Sequence, residues 1–363
     1  MRSAASSWFS QSGARAWQQA WPPTDARRFH ASFARYAPTP LHDVEALATE
    51  LGVGRVLVKD ESSRLGLPAF KILGASWAIA RLLDATGAST LEALRAGAVH
   101  GPTLVAATDG NHGRAVAHMA ALLRVQARIF VPSVMAQPTL DAIAGEGATV
   151  ERVEGDYGVA VARAASFVEA QPDARLVQDT AWPGYEQVPG WIVEGYRTIC
   201  LELDEQLSDL DAAADLVVVP VGVGSLLQAV IAHYRSGGAA PAILGVEPAN
   251  AACVLASLEH GEPTAVTTRP TVMTGLYCGT MSAAAWPYAR DGLDAAVAVS
   301  DADALRAAAD LAALGISSGP SGAATLAGAR AALRAGDRRD ALDIGPDSVL
   351  VLLSTEAAGQ VTA

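Results

Sequence analysis

The sequence predicts an α/β fold of two domains, each a mostly parallel, twisted sheet flanked by helices. Three observations lead there. The chain has 363 residues, 51% of them apolar, which exceeds one typical compact domain and suffices for substantial cores. Short apolar or β-branched runs alternate with stretches of helical period, the pattern of right-handed strand–helix–strand crossovers. Glycine-rich turns fall just after strands and just before helices, where such sheets bind ligands.

The runs Arg55–Lys59 (RVLVK), Thr103–Ala107 (TLVAA), Arg128–Pro132 (RIFVP), Leu216–Pro220 (LVVVP), Ile243–Val246 (ILGV) and Ser348–Leu353 (SVLVLL) are expected strands, because parallel strands buried on both faces read as continuous apolar runs. Expected helices lie between them, at Phe70–Leu83, Gly113–Leu123, Gly158–Ala170, Ser225–Tyr234, Asp301–Leu314 and Gly322–Arg334. No fixed-period repeat is visible, which sets solenoids aside. The expected division is a large domain over 1–63 and 175–363, with an N-terminal arm over 1–40, and a smaller domain over 64–174. The arm carries Trp8, Trp17, Trp21 and Tyr36 and ends in the rigid Pro38-Thr39-Pro40. Packing, or contact with a second subunit, is expected of it rather than an aromatic binding surface.

A net charge of −12 without a long Lys/Arg run argues against nucleic acid, which needs a concentrated basic face. A small-molecule partner fits better. Cys200, Cys253 and Cys278 are widely spaced and odd in number, so neither a disulfide framework nor a metal site is expected. Polar residues interrupt the first twenty positions, and no segment is apolar enough to span a bilayer. A soluble, cytoplasmic protein is the expectation.

Four segments carry candidate chemistry. In Lys59–Lys71 (KDESSRLGLPAFK) a strand ends in charged residues, a Gly/Pro turn follows, and Lys71 opens a helix whose N-terminal field disfavours an ammonium and keeps the amine nucleophilic. Taken alone, a lysine there is usually a solvated surface residue. In Ala107–Arg114 (ATDGNHGR) two glycines allow close approach of a ligand, and Asp109 and Asn111 offer a carboxylate and an amide; either could instead be an ordinary helix cap. Val221–Leu227 (VGVGSLL) is a strand–glycine turn–helix in which successive amides and the helix dipole form a phosphate cradle. It lacks the third glycine of a dinucleotide fingerprint and the GK[ST] of a P-loop. The last strand runs into Ser354-Thr355-Glu356, where a hydroxyl can meet a heteroaromatic nitrogen or merely cap a turn.

Together with QDTAWPGYEQVPGWIVEGY (Gln178–Tyr196), TGLYCGT (Thr274–Thr280) and SSGPSGAA (Ser317–Ala324), these segments make the chain resemble the diaminopropionate ammonia-lyases. These belong to the fold type II pyridoxal-phosphate enzymes, with threonine dehydratase, threonine synthase and the tryptophan synthase β-subunit. The resemblance runs from Tyr36 to Glu356. The lysine, Asn-His-Gly and glycine-loop elements mark the group as a whole, whereas QDTAWPGYE points to the lyases.

The resemblance implies pyridoxal 5′-phosphate, in a cleft between the domains, as a Schiff base on Lys71. Asn111 would contact its phenolic oxygen, Gly222, Val223, Gly224, Ser225 and Leu226 its phosphate, and Ser354 its pyridine nitrogen. Asp109 and Asp179 are implicated as proton acceptors, and Thr108, His112, Tyr277 and Ser321 as lining the substrate pocket. A homodimer and a small amino-acid substrate are implied too. The implied reaction is β-elimination from 2,3-diaminopropionate, giving pyruvate and two ammonia. Alternatives on the same scaffold are a serine or threonine dehydratase, a β-replacement synthase, and a non-catalytic amino-acid-binding or regulatory protein. The sequence departs from the family pattern at Leu65, Tyr277 and Ala357, which stand where phenylalanine, asparagine and glycine are usual.

Overall fold

The structure is a computed structural model describing residues 7–83, 90–98, 101–108, 110–237 and 240–359. Among them the strands are β1 (Trp8–Ser10), β2 (Leu41–Asp43), β3 (Arg55–Asp60), β4 (Thr103–Ala107), β5 (Ala127–Pro132), β6 (Thr149–Val153), β7 (Ala174–Leu176), β8 (Leu216–Pro220), β9 (Ala242–Pro248), β10 (Ala295–Val299) and β11 (Val349–Ser354). The α-helices are α1 (Ala26–His30), α2 (Glu45–Leu51), α3 (Lys71–Leu83), α4 (Leu91–Gly97), α5 (Asn111–Leu123), α6 (Gln137–Gly145), α7 (Tyr157–Glu169), α8 (Gln187–Asp209), α9 (Ser225–Tyr234), α10 (Cys253–His260), α11 (Trp286–Gly292), α12 (Asp301–Ala313), α13 (Pro320–Leu333) and α14 (Gly336–Ala341). None is long and apolar enough to cross a membrane.

Contacts divide the chain into a larger unit, Met1–Pro22, Pro38–Ser63 and Ile199–Ala363, and a smaller one, Pro23–Ala37 and Arg64–Thr198. One break falls after Ser63. The other falls inside α8, so 175–198 groups with the smaller unit because β7 pairs in register with β4 and the first half of α8 packs on α3. That packing depends on two glycines. A Cβ on Gly74 would come within 2.5 Å of the Tyr196 ring and 2.7 Å of Ile192, and one on Gly195 would strike the Leu73 carbonyl. Segment 23–37 joins the smaller unit through His30, whose ring nitrogens bond the Thr198 hydroxyl at 2.8 Å and the Leu73 carbonyl at 3.0 Å.

The larger unit's sheet has the order β1-β10-β9-β8-β11-β3-β2, parallel except for β1 and β2 at its edges. Its main core packs β8, β9, β10 and β11 against α2, α12 and α13. Helix α13 is small-residue-rich and buried along nearly its whole length, as a helix enclosed on all sides should be. The arm adds β1 to the sheet edge, and Gln11 donates to the carbonyls of Arg290 and Leu293 at 2.8 and 2.7 Å. Arg15 reaches Asp294 at 3.3 Å, and the buried Arg235 meets the same carboxylate at 2.7 Å. Pro38-Thr39-Pro40 is bolted down at Thr39, whose carbonyl accepts from Lys59 at 2.9 Å and Gln206 at 2.8 Å.

The smaller unit's sheet, β6-β5-β4-β7, is wholly parallel. Its cluster joins β4, β5 and β7 to Ala160 and Ala164 of α7. The first residues of α3 and α5, and the segment after β7, all lie in this unit.

Glu247 was not singled out by its sequence context. It is buried on β9, and its two carboxylate oxygens accept from the amides of Val254 and Leu255, at 2.8 and 2.7 Å, capping α10. Burial pushes its pKa up to about 7, although those amides pull the other way. Because the folded protein holds this proton more tightly than the unfolded chain does, the associated stability is fully present below the unfolded pKa and is lost as pH rises through 7. Denaturant unfolding of the wild type and Glu247→Gln between pH 4.5 and 8 should therefore show the stability difference moving in the variant's favour by roughly 1–3 kcal/mol as pH rises.

Candidate active site

Lys71 owes its position to the turn before it. Arg64 and Leu67 exchange backbone hydrogen bonds of 2.8 and 2.9 Å around Leu65 and Gly66, both at positive φ. The chain then buries Ala69 and Phe70, the latter against the Tyr196 ring at a centroid distance of 4.7 Å, and Lys71 follows as the first residue of α3. The chain contains only two lysines. Lys59, in the larger unit, is fully buried with its ammonium donating to the Thr39 carbonyl, Glu202 at 3.0 Å and Gln206 at 2.8 Å. Three acceptors saturate an ammonium. Lys71 is the accessible amine of the pair.

Its Nζ donates to Oδ2 of the buried Asp179 at 2.6 Å. Burial would raise the Asp179 carboxyl pKa, but the charges of Lys71 and His112 and the hydrogen bond from Lys71 outweigh it and hold the group below the usual carboxylate range. His112, on α5, has Nε2 at 2.7 Å from the Val177 carbonyl and Nδ1 at 3.9 Å from Asp179 Oδ2. Burial lowers its pKa against the pull of Asp179, and because a carbonyl oxygen only accepts, Nε2 carries the hydrogen donated to Val177. Lys71, His112 and Asp179, drawn from three segments, thus form one cluster.

The remaining expected residues divide. Asn111 opens α5 and is half-buried. Thr108 is buried, and its hydroxyl accepts from the amides of Gly110 at 2.9 Å and Gly113 at 3.0 Å, a capping role for α5. Asp109 lies outside the described residues. Around Asp179 stand groups that sequence reading passed over. Gln178 Oε1 accepts from the Ala107 amide at 2.9 Å, its Nε2 donates to the Tyr157 hydroxyl at 2.6 Å, and its amide donates to the Tyr185 hydroxyl at 2.9 Å. Tyr185 in turn donates to the Leu176 carbonyl at 2.9 Å and stacks on Trp182 across the Pro183-Gly184 turn. The Gln178–Tyr185 motif was visible, but its internal bonding depends on a turn that only coordinates reveal.

In the larger unit, β8 ends at Pro220, and Val221–Gly224 leads into α9, whose N-cap is Gly224 at φ 95. A Cβ at Gly222 would lie 3.0 Å from the Gly275 carbonyl and 3.4 Å from the Cys278 sulfur. The turn is therefore glycine by necessity, and it opens a helix without a capping side chain, which suits a phosphate. Val223 and Leu226 are buried, as is Ser225. Ser354 ends β11 fully buried, donating to Ser318 Oγ at 2.8 Å. Ser321 Oγ accepts from the Gly275 amide at 3.2 Å, and its own amide donates to Glu356. The Tyr277 hydroxyl accepts from Thr268 at 3.2 Å. Glycine turn, TGLYCGT loop, SSGPSG segment and strand end thus converge in this unit, and the donor set fits a phosphorylated pyridine ring: amides for the phosphate, a buried neutral hydroxyl for a ring nitrogen. Among the described residues no cluster of His, Cys, Asp and Glu could hold a metal ion.

An α/β sheet with such a cradle, and a lysine paired to a carboxylate at a helix start, is the construction of a pyridoxal-phosphate enzyme. A profile described as pyridoxal-phosphate dependent enzyme matches residues 33–355. The diaminopropionate ammonia-lyase of Escherichia coli is 35% identical over 354 residues, covering 91% of this chain and 87% of that one. That of Salmonella typhimurium is 34% identical over 288 residues, 75% and 71% of the two chains. A crystal structure of the Escherichia coli diaminopropionate ammonia lyase in complex with D-serine matches with a TM-score of 0.84 and 33% identity, covering 96% of this chain and 90% of that one. The chain belongs to the diaminopropionate ammonia-lyase family of pyridoxal-phosphate dependent enzymes. It is a carbon–nitrogen lyase of fold type II, with pyridoxal 5′-phosphate as its cofactor.

The capping role of Thr108 has a direct test. Thr108→Val keeps the side-chain shape but strands two amides at the start of α5, and should cost about 1–2 kcal/mol of stability in denaturant unfolding.

Proposed function

We propose that the protein converts 2,3-diaminopropionate and water to pyruvate and two ammonia by β-elimination, with Lys71 as cofactor lysine and Asp109 and Asp179 as proton acceptors. The observation that carries this reading is the contact between Lys71 and the buried Asp179. Lys71 would hold pyridoxal 5′-phosphate, which when bound would supply an electron sink for the substrate's α-carbon. Gly222–Leu226 would hold its phosphate, Ser354 its pyridine nitrogen and Asn111 its phenolic oxygen.

Asp179 is ionised while Lys71 is an ammonium beside it. Once that positive charge is gone, burial raises the carboxylate's proton affinity and makes it a better base near neutral pH. A neutral hydroxyl at Ser354 cannot keep a proton on a pyridine nitrogen as a carboxylate could. Elimination tolerates the weaker sink, because the leaving group takes up the electron pair. Thr108, His112, Tyr277 and Ser321 are assigned to the substrate side, and the Tyr277 phenol, held by Thr268, is the departure best placed to alter substrate preference. The protein is further assigned to the cytoplasm, as a homodimer.

Purified protein mixed with D- and L-2,3-diaminopropionate, serine and threonine should release pyruvate and ammonia from diaminopropionate in preference to 2-oxobutyrate from threonine. The α-hydrogens of the two enantiomers point to opposite faces, so Asp109→Asn should abolish turnover of the D-form and Asp179→Asn that of the L-form, each sparing much of the other. Predominant 2-oxobutyrate would make the protein a threonine dehydratase. Equal losses on both enantiomers in each variant would leave Lys71 as the base.

A further inference from the structure

The two oxygens of Asp179 face different partners. Oδ2 takes the Lys71 ammonium at 2.6 Å, while Oδ1 faces the Tyr157 hydroxyl at 3.4 Å and Gln178 Nε2 at 3.4 Å. The hydroxyl reaches Oδ1 at the end of a chain whose direction is set by the Ala107 amide. The Ala107 amide can only donate, so the oxygen of the Gln178 side chain must face it at 2.9 Å, and the amide nitrogen must face Tyr157 at 2.6 Å. The phenol oxygen accepts from Gln178, and its hydroxyl faces the carboxylate as a donor. Gln178 is fully buried, and Tyr157 is half-buried beside it.

We propose that Tyr157 is a positioning residue for Asp179, its hydroxyl, oriented by Gln178, anchoring Oδ1 so that Oδ2 is the oxygen presented to Lys71 and to an arriving proton. The inference deepens the reading of Asp179 as a proton acceptor and rests on it for its kinetic consequence. Among the described residues, the titratable groups facing Asp179 besides Tyr157 are Lys71 on α3, His112 on α5, Tyr185 in the turn after it and Tyr196 on α8. Burial pushes both tyrosine pKa values up, so Tyr185 and Tyr196 stay neutral across the working range. Removing the Tyr157 hydroxyl takes one donor from the charged form of Asp179 and should raise its pKa.

The test is Tyr157→Phe in the holoenzyme with aspartate side chains carbon-13 labelled at the carboxyl, the Asp179 signal being assigned by its loss in Asp179→Asn. Its titration midpoint should move up by about 0.5–1 pH unit. In parallel, kcat for L-2,3-diaminopropionate should fall about 5-fold with KM within about twofold, and the acid limb of its pH profile should move the same way. An unmoved carboxyl titration in a variant with the wild-type unfolding midpoint would overturn the positioning role. A moved titration with unchanged L-enantiomer kinetics would support Tyr157 as the anchor of Asp179 and remove Asp179 as the proton acceptor.

Discussion

The carboxylate of Asp179 is the constraint around which the smaller unit is organised. An ionised carboxyl out of water is unfavourable unless it is paired and hydrogen-bonded, and here the compensation comes from every side. Lys71 is brought to it by the Arg64–Leu67 turn, His112 by the start of α5, and Tyr157 by the start of α7. Those positions in turn depend on backbone geometry. Helix α3 can lie against α8 because Gly74 and Gly195 have no side chains at the crossing, and the segment carrying Asp179 is pinned by Tyr185 to the backbone at Leu176 and Gln178.

The same logic explains why the two lysines behave so differently. Lys59 has a complete set of acceptors and closes a buried network that fixes Thr39 and Glu202. It is structural. Lys71 has a carboxylate at 2.6 Å and a side chain that remains about a fifth exposed, 19%, so its amine is held in place yet reachable. A buried ion pair of this kind adds little net stability; its value lies in orientation and in charge.

Much of this was legible in the sequence. The expected strands at Arg55–Lys59, Thr103–Ala107, Arg128–Pro132, Leu216–Pro220, Ile243–Val246 and Ser348–Leu353 all appear within two residues of their expected ends, because strands covered on both faces are continuous apolar runs. The six expected helices appear equally closely. What escaped were elements whose signal is not hydrophobic. Helix α8 was obscured by Pro189, Gly190 and Gly195, which read as breakers, although a proline in the first turn is compatible with a helix and Gly195 serves a close crossing. Strand β6 is the edge of its sheet, and β1, β2 and β7 have only three residues each. At the site, Lys71 and the glycine turn stood out through the company of the other motifs and the family resemblance, since each alone is a weak signal. Tyr157, Gln178 and Ser318 did not, since a directional hydrogen-bond chain leaves no periodic trace.

The roles of Asp179 and its partners depend on Lys71 being the amine that holds the cofactor, and a chain with two lysines makes that unusually easy to decide. Borohydride reduction of the holoenzyme followed by peptide mass mapping should place the pyridoxyl adduct on the peptide containing Lys71, with the Lys59 peptide unmodified. An adduct on Lys59 would mean that its buried network opens to admit the cofactor, and would contradict the assignment of Lys71 and the role given to Asp179 with it.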